Sequence, residues 1–263
     1  MNQARKTRVA PRAGETVWDS ETTCTVKPPL QRTKTRLAFP GAVKPNVAQP
    51  GDALELLKAL PDACTPLVFL DPQYRGIMDK MAYGNEGARQ SARAALPQMA
   101  DKYIDACCRE IARLLRPSGY LMLWADTFNV CEGNHLRIKD VLPPVDLIDW
   151  INGQFGMGPR SRRCGSYLVV LQKAPIVAKA TWPDRGTRDR WFEKIIKPRS
   201  GYPHRKPPGL IKHLIECLTN PGDLIVDPAA GSFVVMHAAH ELGRDFVGCD
   251  LAYDPDKNWK RTK

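Results

Sequence analysis

Two stretches of the chain carry residues whose types and spacing suit chemistry. The first, "LVFLDPQYRG", runs from Leu67 to Gly76. Four apolar residues end on Asp71, Pro72, Gln73 and Tyr74, so an acid, a proline and an aromatic ring sit where a buried strand would stop. A plain strand followed by a proline turn has the same letters, and ten residues do not separate the two readings. The second stretch, "DLIVDPAAGSFVVMHAAHELGRDFVGCD", covers Asp223 to Asp250. It reads as strand, glycine turn, helix, strand, acid, the first half of a nucleotide-binding βαβ unit. Gly231 lets a ligand approach the backbone, and the helix start beyond it offers unpaired N–H groups. Asp250, about twenty residues past the turn, stands where an acid accepts from two ribose hydroxyls. No G-x-G-x-x-G is present, so a dinucleotide pyrophosphate is not the natural guest.

These residues need a frame. The apolar spacing predicts a helix within Gly51–Asp62, a strand at Leu67–Leu70 and a loop over Gly76–Ala95. A helix opened by Pro97 follows, with Ile104, Cys107, Cys108, Ile111, Leu114 and Leu115 on its apolar face and "RPSG" as its stop. Strands are expected at Tyr120–Trp124, Val145–Trp150, Tyr167–Leu171, Leu224–Val226 and Phe246–Cys249. A helix is predicted over Pro208–Leu218, and another, capped by Ser232, reaches Leu242. Lys173–Tyr202 reads as irregular and basic. Strands alternating with helices predict an α/β fold, Rossmann-like, with a largely parallel sheet covered by helices on both faces. Residues 1–50 read as a basic, largely extended arm ahead of a single domain over residues 51–263.

Composition narrows the class. The chain has 263 residues, 43% of them hydrophobic, and a net charge of +11. No apolar run is long enough to span a membrane, and the N-terminus has no apolar signal core. None of the eight cysteines is spaced C-x-x-C. Reduced thiols in a cytoplasm are therefore expected, rather than a disulfide or zinc framework, and no metal ligands are assigned. Basic residues concentrate between Arg5 and Lys44 and between Arg160 and Lys206, which favours a polyanionic partner.

In order, the motifs resemble the β-class of S-adenosylmethionine-dependent DNA amino-methyltransferases. There a catalytic D-P-P-Y precedes a cofactor motif D-P-F-A-G-S-G; here "DPQY" precedes "DPAAGS". "GDALELLKALPD", "EIARLLRPSGYLML", "GMGPRSRRCGSYLVVLQKAP" and "HRKPPGLIKHLIECLTNPGD" are similar to further family segments, so the likeness covers about residues 51–251. The chain departs from the motifs at Gln73, Ala229 and Phe233.

The resemblance implies a prokaryotic or phage-encoded enzyme that methylates a base flipped out of double-stranded DNA. Asp71 and the Pro72 carbonyl would accept the amino hydrogens of the target, and Tyr74 would stack on the base. S-adenosylmethionine would lie against Asp227, Ala229, Gly231, Ser232 and Asp250. Lys206 would stand near its methionine carboxylate. Asp52 would take its adenine amino group, although this acid equally suits a helix cap. An aspartate at the head of the motif points to adenine N6 over cytosine N4. Recognition loops are expected near residues 75–100 and 152–205, with Arg160, Arg162 and Arg163 reading guanine or holding phosphate. An RNA methyltransferase or a silent DNA-binding homologue are the rival readings, and a homodimer is a family habit.

Overall fold

A computed structural model describes residues 43–74, 99–155, 161–195 and 205–254. Seven strands form one sheet: β1 (Thr65–Leu70), β2 (Leu115–Ala125), β3 (Pro144–Ile151), β4 (Gly165–Gln172), β5 (Arg190–Phe192), β6 (Leu224–Asp227) and β7 (Asp245–Gly248), in the order β5-β3-β4-β2-β1-β6-β7. Around it lie α1 (Ala53–Ala59), α2 (Asp101–Leu114), α3 (Thr127–Cys131), α4 (Ala178–Thr181), α5 (Pro208–Leu218) and α6 (Val234–Glu241). Pairings are parallel except where β4 runs antiparallel between β2 and β3. The sheet is thus mostly parallel, as expected.

The strand alternation splits the core in two. Val68 and Leu70 of β1, with Leu121 and Leu123 of β2, face a cluster that includes Leu57 of α1 and Ile104 and Ile111 of α2. Their neighbours Leu67, Phe69, Met122 and Trp124 face Ile211 and Leu214 of α5 and Val235 of α6. Successive side chains of a strand point to opposite faces, so a sheet covered on both sides needs near-continuous apolar strands. "LVFL" and "YLMLW" have that composition.

Four expectations shift. β2 begins at Leu115, not Tyr120, because "RPSG" forms an irregular first part of the strand; pairing with β1 slips there and Ser118 takes φ of 61°. Within the segment read as irregular, α4 and the edge strand β5 form. Ser232 does not cap α6, which starts at Val234 behind Phe233. Residues 43–50, read as part of the arm, run beside β7: the Asn46 side chain meets Phe246 N at 2.8 Å and Asp245 at 3.0 Å. The loop over Gly76–Ala95 and Pro97 lie outside the described residues; the helix expected after Pro97 is α2, which begins at Asp101 behind Ala100.

Candidate active site

The site sits where the strand order reverses. From β1 the chain crosses through α2 to β2; from β6 it crosses through α6 to β7 on the opposite side. β1 and β6 are neighbours, with Val68 opposite Val226. Ligands bind α/β sheets at such a switch point, beyond the carboxyl ends of the strands. Asp71 follows the end of β1 and Asp227 ends β6. A cavity of about 570 Å³ opens there. It is lined by Asp71, Pro72, Gln73 and Tyr74 from one motif and by Asp227–Ser232 and Asp250 from the other. Asp52 and Lys206 line it too, so one space joins two stretches far apart in sequence.

The geometry around Asp71 is specific. Its carboxylate, 38% exposed, receives Lys206 Nζ at 2.8 Å, and the ammonium also lies 4.8 Å from the centre of the Trp124 ring. Pro72 O accepts Tyr74 N–H at 3.0 Å, a tight turn centred on Gln73, whose own carbonyl accepts Met99 N–H at 2.8 Å. Tyr74 is buried, and its hydroxyl donates to Trp124 O at 3.1 Å. Burial, with Asp71 and Asp126 nearby, pushes its phenol well up.

The second motif forms a cradle of backbone donors and acids. Gly231 takes φ of 49°, a left-handed conformation natural to glycine. Asp250 Oδ2 accepts Gly231 N–H at 2.9 Å and Oδ1 accepts Ala252 N–H at 2.9 Å, which ties the turn to the end of β7. Asp227 is buried and accepts Ala229 N–H at 3.3 Å. Burial pushes its pKa well up and the Asp71 and Asp250 charges add to this, against the pull of Ala229 N–H and Lys206. Phe233, in place of a motif glycine, holds φ of 54° while its ring packs on Phe246 and Tyr253.

Asp52 resolves towards the cap. Its Oδ1 accepts Leu54 N–H at 2.9 Å and Glu55 N–H at 3.1 Å, and Tyr103 OH donates to it at 2.8 Å. It still lines the cavity, so the cap and the wall are the same residue. Of the three recognition arginines, Arg163 lines the cavity with its guanidinium 4.8 Å from the centre of the Phe128 ring. Arg162 is exposed and lies 5.9 Å from the Phe155 ring centre, and Arg160 lies outside the described residues. Sequence reasoning missed Tyr103, Trp124 and Asp126 in the cavity wall. Tyr103 packs against one core cluster and Trp124 belongs to the other, so each reads as core and neither carried a signal.

The residues fit a cationic, ribose-bearing cofactor. The cavity volume lies within the usual range for ligand pockets, about 300–1,000 Å³. The acid set Asp52, Asp227 and Asp250 suits positive charge, and a cation beside Asp227 would offset what burial costs its carboxylate.

Comparison with known proteins agrees. The family model for DNA methylases, of the N6/N4 amino-methyltransferase kind, matches residues 66–254. Type II methyltransferase M.HhaII of Haemophilus parahaemolyticus is 44% identical over 211 residues, covering 79% of this chain and 91% of that protein. DNA adenine methyltransferase YhdJ of Escherichia coli (strain K12) is 42% identical, covering 76% of each chain. Among solved structures, a DNA modification methylase of Thermus thermophilus complexed with S-adenosyl-L-methionine has a TM-score of 0.54 at 20% identity, over 78% of this chain and 87% of that one. The cytosine-N4-specific PvuII DNA methyltransferase reaches 0.58 at 17% identity, over 78% and 81%. These two share the fold. With the family model spanning most of the domain and both motifs meeting in one cavity, the chain belongs to the S-adenosylmethionine-dependent DNA amino-methyltransferases.

Proposed function

We propose that the chain methylates adenine N6 of a base turned out of duplex DNA. One observation carries this reading: Asp71 and the Gly231–Asp250 cradle line the same cavity, so an amino-bearing base and the cofactor can meet in it. The acid at the head of the first motif and the adenine methyltransferase among the relatives support adenine over cytosine.

An exocyclic amine is a poor nucleophile because its lone pair is delocalised into the ring. S-adenosylmethionine, bound by Asp227, Ala229, Gly231, Ser232 and Asp250, supplies an electrophilic methyl on a sulfonium. Asp71 Oδ1 is engaged by Lys206, which leaves Oδ2 to accept one amino hydrogen. Pro72 O has one lone pair on Tyr74 N–H and a second for the other hydrogen. Two acceptors in this arrangement favour a pyramidal nitrogen and stabilise the positive charge it gains during attack. Lys206 orients Asp71 through this ion pair, and its place on the cavity wall also suits the methionine carboxylate of the cofactor. The Trp124 carbonyl anchors the Tyr74 ring in the wall, where a base can stack on it. Arg163 at the cavity supplies a cation for the DNA backbone.

The test is to sequence host DNA with base-modification detection, with and without the expressed chain. N6-methyladenine in one short sequence context is expected, and none with Asp71→Asn. N4-methylcytosine would overturn the choice of base. Unmodified DNA alongside methylated RNA would overturn the choice of nucleic acid.

A further inference from the structure

On the far side of α5 from the cavity, three side chains of different chemistry converge. Asp184 Oδ2 lies 3.3 Å from His213 Nε2 and 3.6 Å from Cys217 Sγ, and Cys217 Sγ lies 3.7 Å from His213 Nε2. His213 and Cys217 are one turn apart on α5, the i, i+4 spacing that puts both on one helix face. Asp184 comes from the basic segment between β4 and α5. The side chains of Asp184 and His213 are 9% and 10% exposed, and Cys217 is buried.

We propose that Asp184, His213 and Cys217 bind a divalent metal ion, zinc by the chemistry of the set, as a structural fastening. A tetrahedral zinc with Zn–S near 2.3 Å and Zn–N and Zn–O near 2.0–2.2 Å has ligand-to-ligand edges of about 3.3–3.6 Å. The two separations from Asp184 match those edges; Cys217 Sγ lies 3.7 Å from His213 Nε2 and 3.8 Å from Nδ1, so the imidazole would have to turn to aim Nε2 at the ion. Thiolate, imidazole and carboxylate together select zinc over magnesium or calcium. One thiolate and one carboxylate also neutralise a 2+ ion in a site that excludes most water.

Thr187 Oγ1 stands 3.0 Å from His213 Nε2 and 3.1 Å from Asp184 Oδ2, at the place of a fourth ligand or of a water between them. Trp191 covers the imidazole at 5.2 Å between ring centres. No C-x-x-C spacing announces such a site, because the third ligand comes from a loop remote in sequence.

The position suggests its use. Glu193 already accepts Gly209 N–H at 2.9 Å and Leu210 N–H at 3.0 Å at the start of α5. The metal would fix the same segment farther along that helix. Residues 184–193, and the arginines among them, would then be held at two points against the helix that follows Lys206.

The test uses the full chain without a histidine tag, in a Cys24→Ser/Cys131→Ser/Cys164→Ser background that removes the two thiols exposed among the described residues and the one that lies outside them. The chelator-treated protein is titrated with zinc and, separately, with cobalt(II). About one equivalent should bind, with the visible bands of tetrahedral cobalt and a thiolate-to-cobalt charge-transfer band, and zinc should raise the melting temperature. His213→Gln and Cys217→Ser should each weaken binding more than about tenfold. Should those variants fail to fold, the cobalt spectrum of the background protein decides. No binding, tetrahedral cobalt without the thiolate band, or binding that survives both variants would overturn the proposal.

Discussion

At the scale of residues, acids of one cavity do different work because their surroundings differ. Asp71 is partly exposed and paired to Lys206, and it faces the place of the target. Asp250 accepts a backbone N–H at each carboxylate oxygen and lines the same cavity beside the glycine turn. Asp250→Ala should therefore weaken cofactor binding by about 1–3 kcal/mol, the range for leaving buried polar partners unpaired, whereas Asp71→Asn should leave it near wild type. Calorimetry with S-adenosylmethionine separates them; equal losses would remove the division of roles. Asp227 offers a pH test. Its folded pKa is raised well above 3.8, mainly by burial. Below that ordinary value both folded and unfolded states are protonated and nothing is lost. As pH rises, the unfolded chain ionises first, and stability falls by at most about 1.4 kcal/mol per pH unit until the raised value is passed. Asparagine keeps the acceptor for Ala229 N–H without this penalty. Asp227→Asn should thus gain stability over wild type as pH rises from about 4, read from denaturation midpoints of the cofactor-free protein. A difference that does not change with pH would show that Asp227 ionises normally.

At the scale of elements, the second motif shows what a motif departure does physically. The family glycine at the start of α6 is Phe233, and the backbone keeps the left-handed conformation that glycine would favour. A left-handed L-residue costs about 1–2 kcal/mol. The Phe233 ring is buried against Phe246 and Tyr253, and truncating a buried Phe costs about 3–5 kcal/mol. Burial outweighs strain, so Phe233→Gly should destabilise the fold by about 2 kcal/mol in a urea melt. A more stable variant would mean the ring contributes little. Gln73 is a milder departure. It centres the turn in which Tyr74 N–H reaches Pro72 O, a conformation open to glutamine as well as proline.

At the scale of the whole molecule, charge sets the coupling to DNA. The net charge is +11, and residues 1–42 carry Arg5, Lys6, Arg8, Arg12, Lys27, Arg32, Lys34 and Arg36. Deleting residues 1–42 should weaken DNA binding alike on all sequences. For every phosphate that the shortened chain no longer neutralises, the slope of log K against log salt should become shallower by about 0.9. Fluorescence anisotropy across a salt series on specific and unrelated duplexes measures both. Weakening confined to the specific duplex would show that this segment reads bases.

The sequence by itself determined the sheet and the two motifs. Near-continuous apolar runs such as "LVFL" and "YLMLW" are covered on both faces wherever they lie, and the helix over Pro208–Leu218 follows from its opening proline and apolar face. The positions of Gly231 and Asp250 follow from the length of a βαβ unit. Tertiary structure decided what depends on partners remote in the chain. It paired Lys206, just ahead of α5, with Asp71 at the end of β1. It gave Asp52 a third partner in Tyr103 and set Trp124 beneath the ammonium. It also drew β5 out of a basic segment with weak strand character, since an edge strand forms when a neighbour, here β3, offers unpaired backbone groups. Local periodicity records which face of an element is buried; only the fold records which other element buries it.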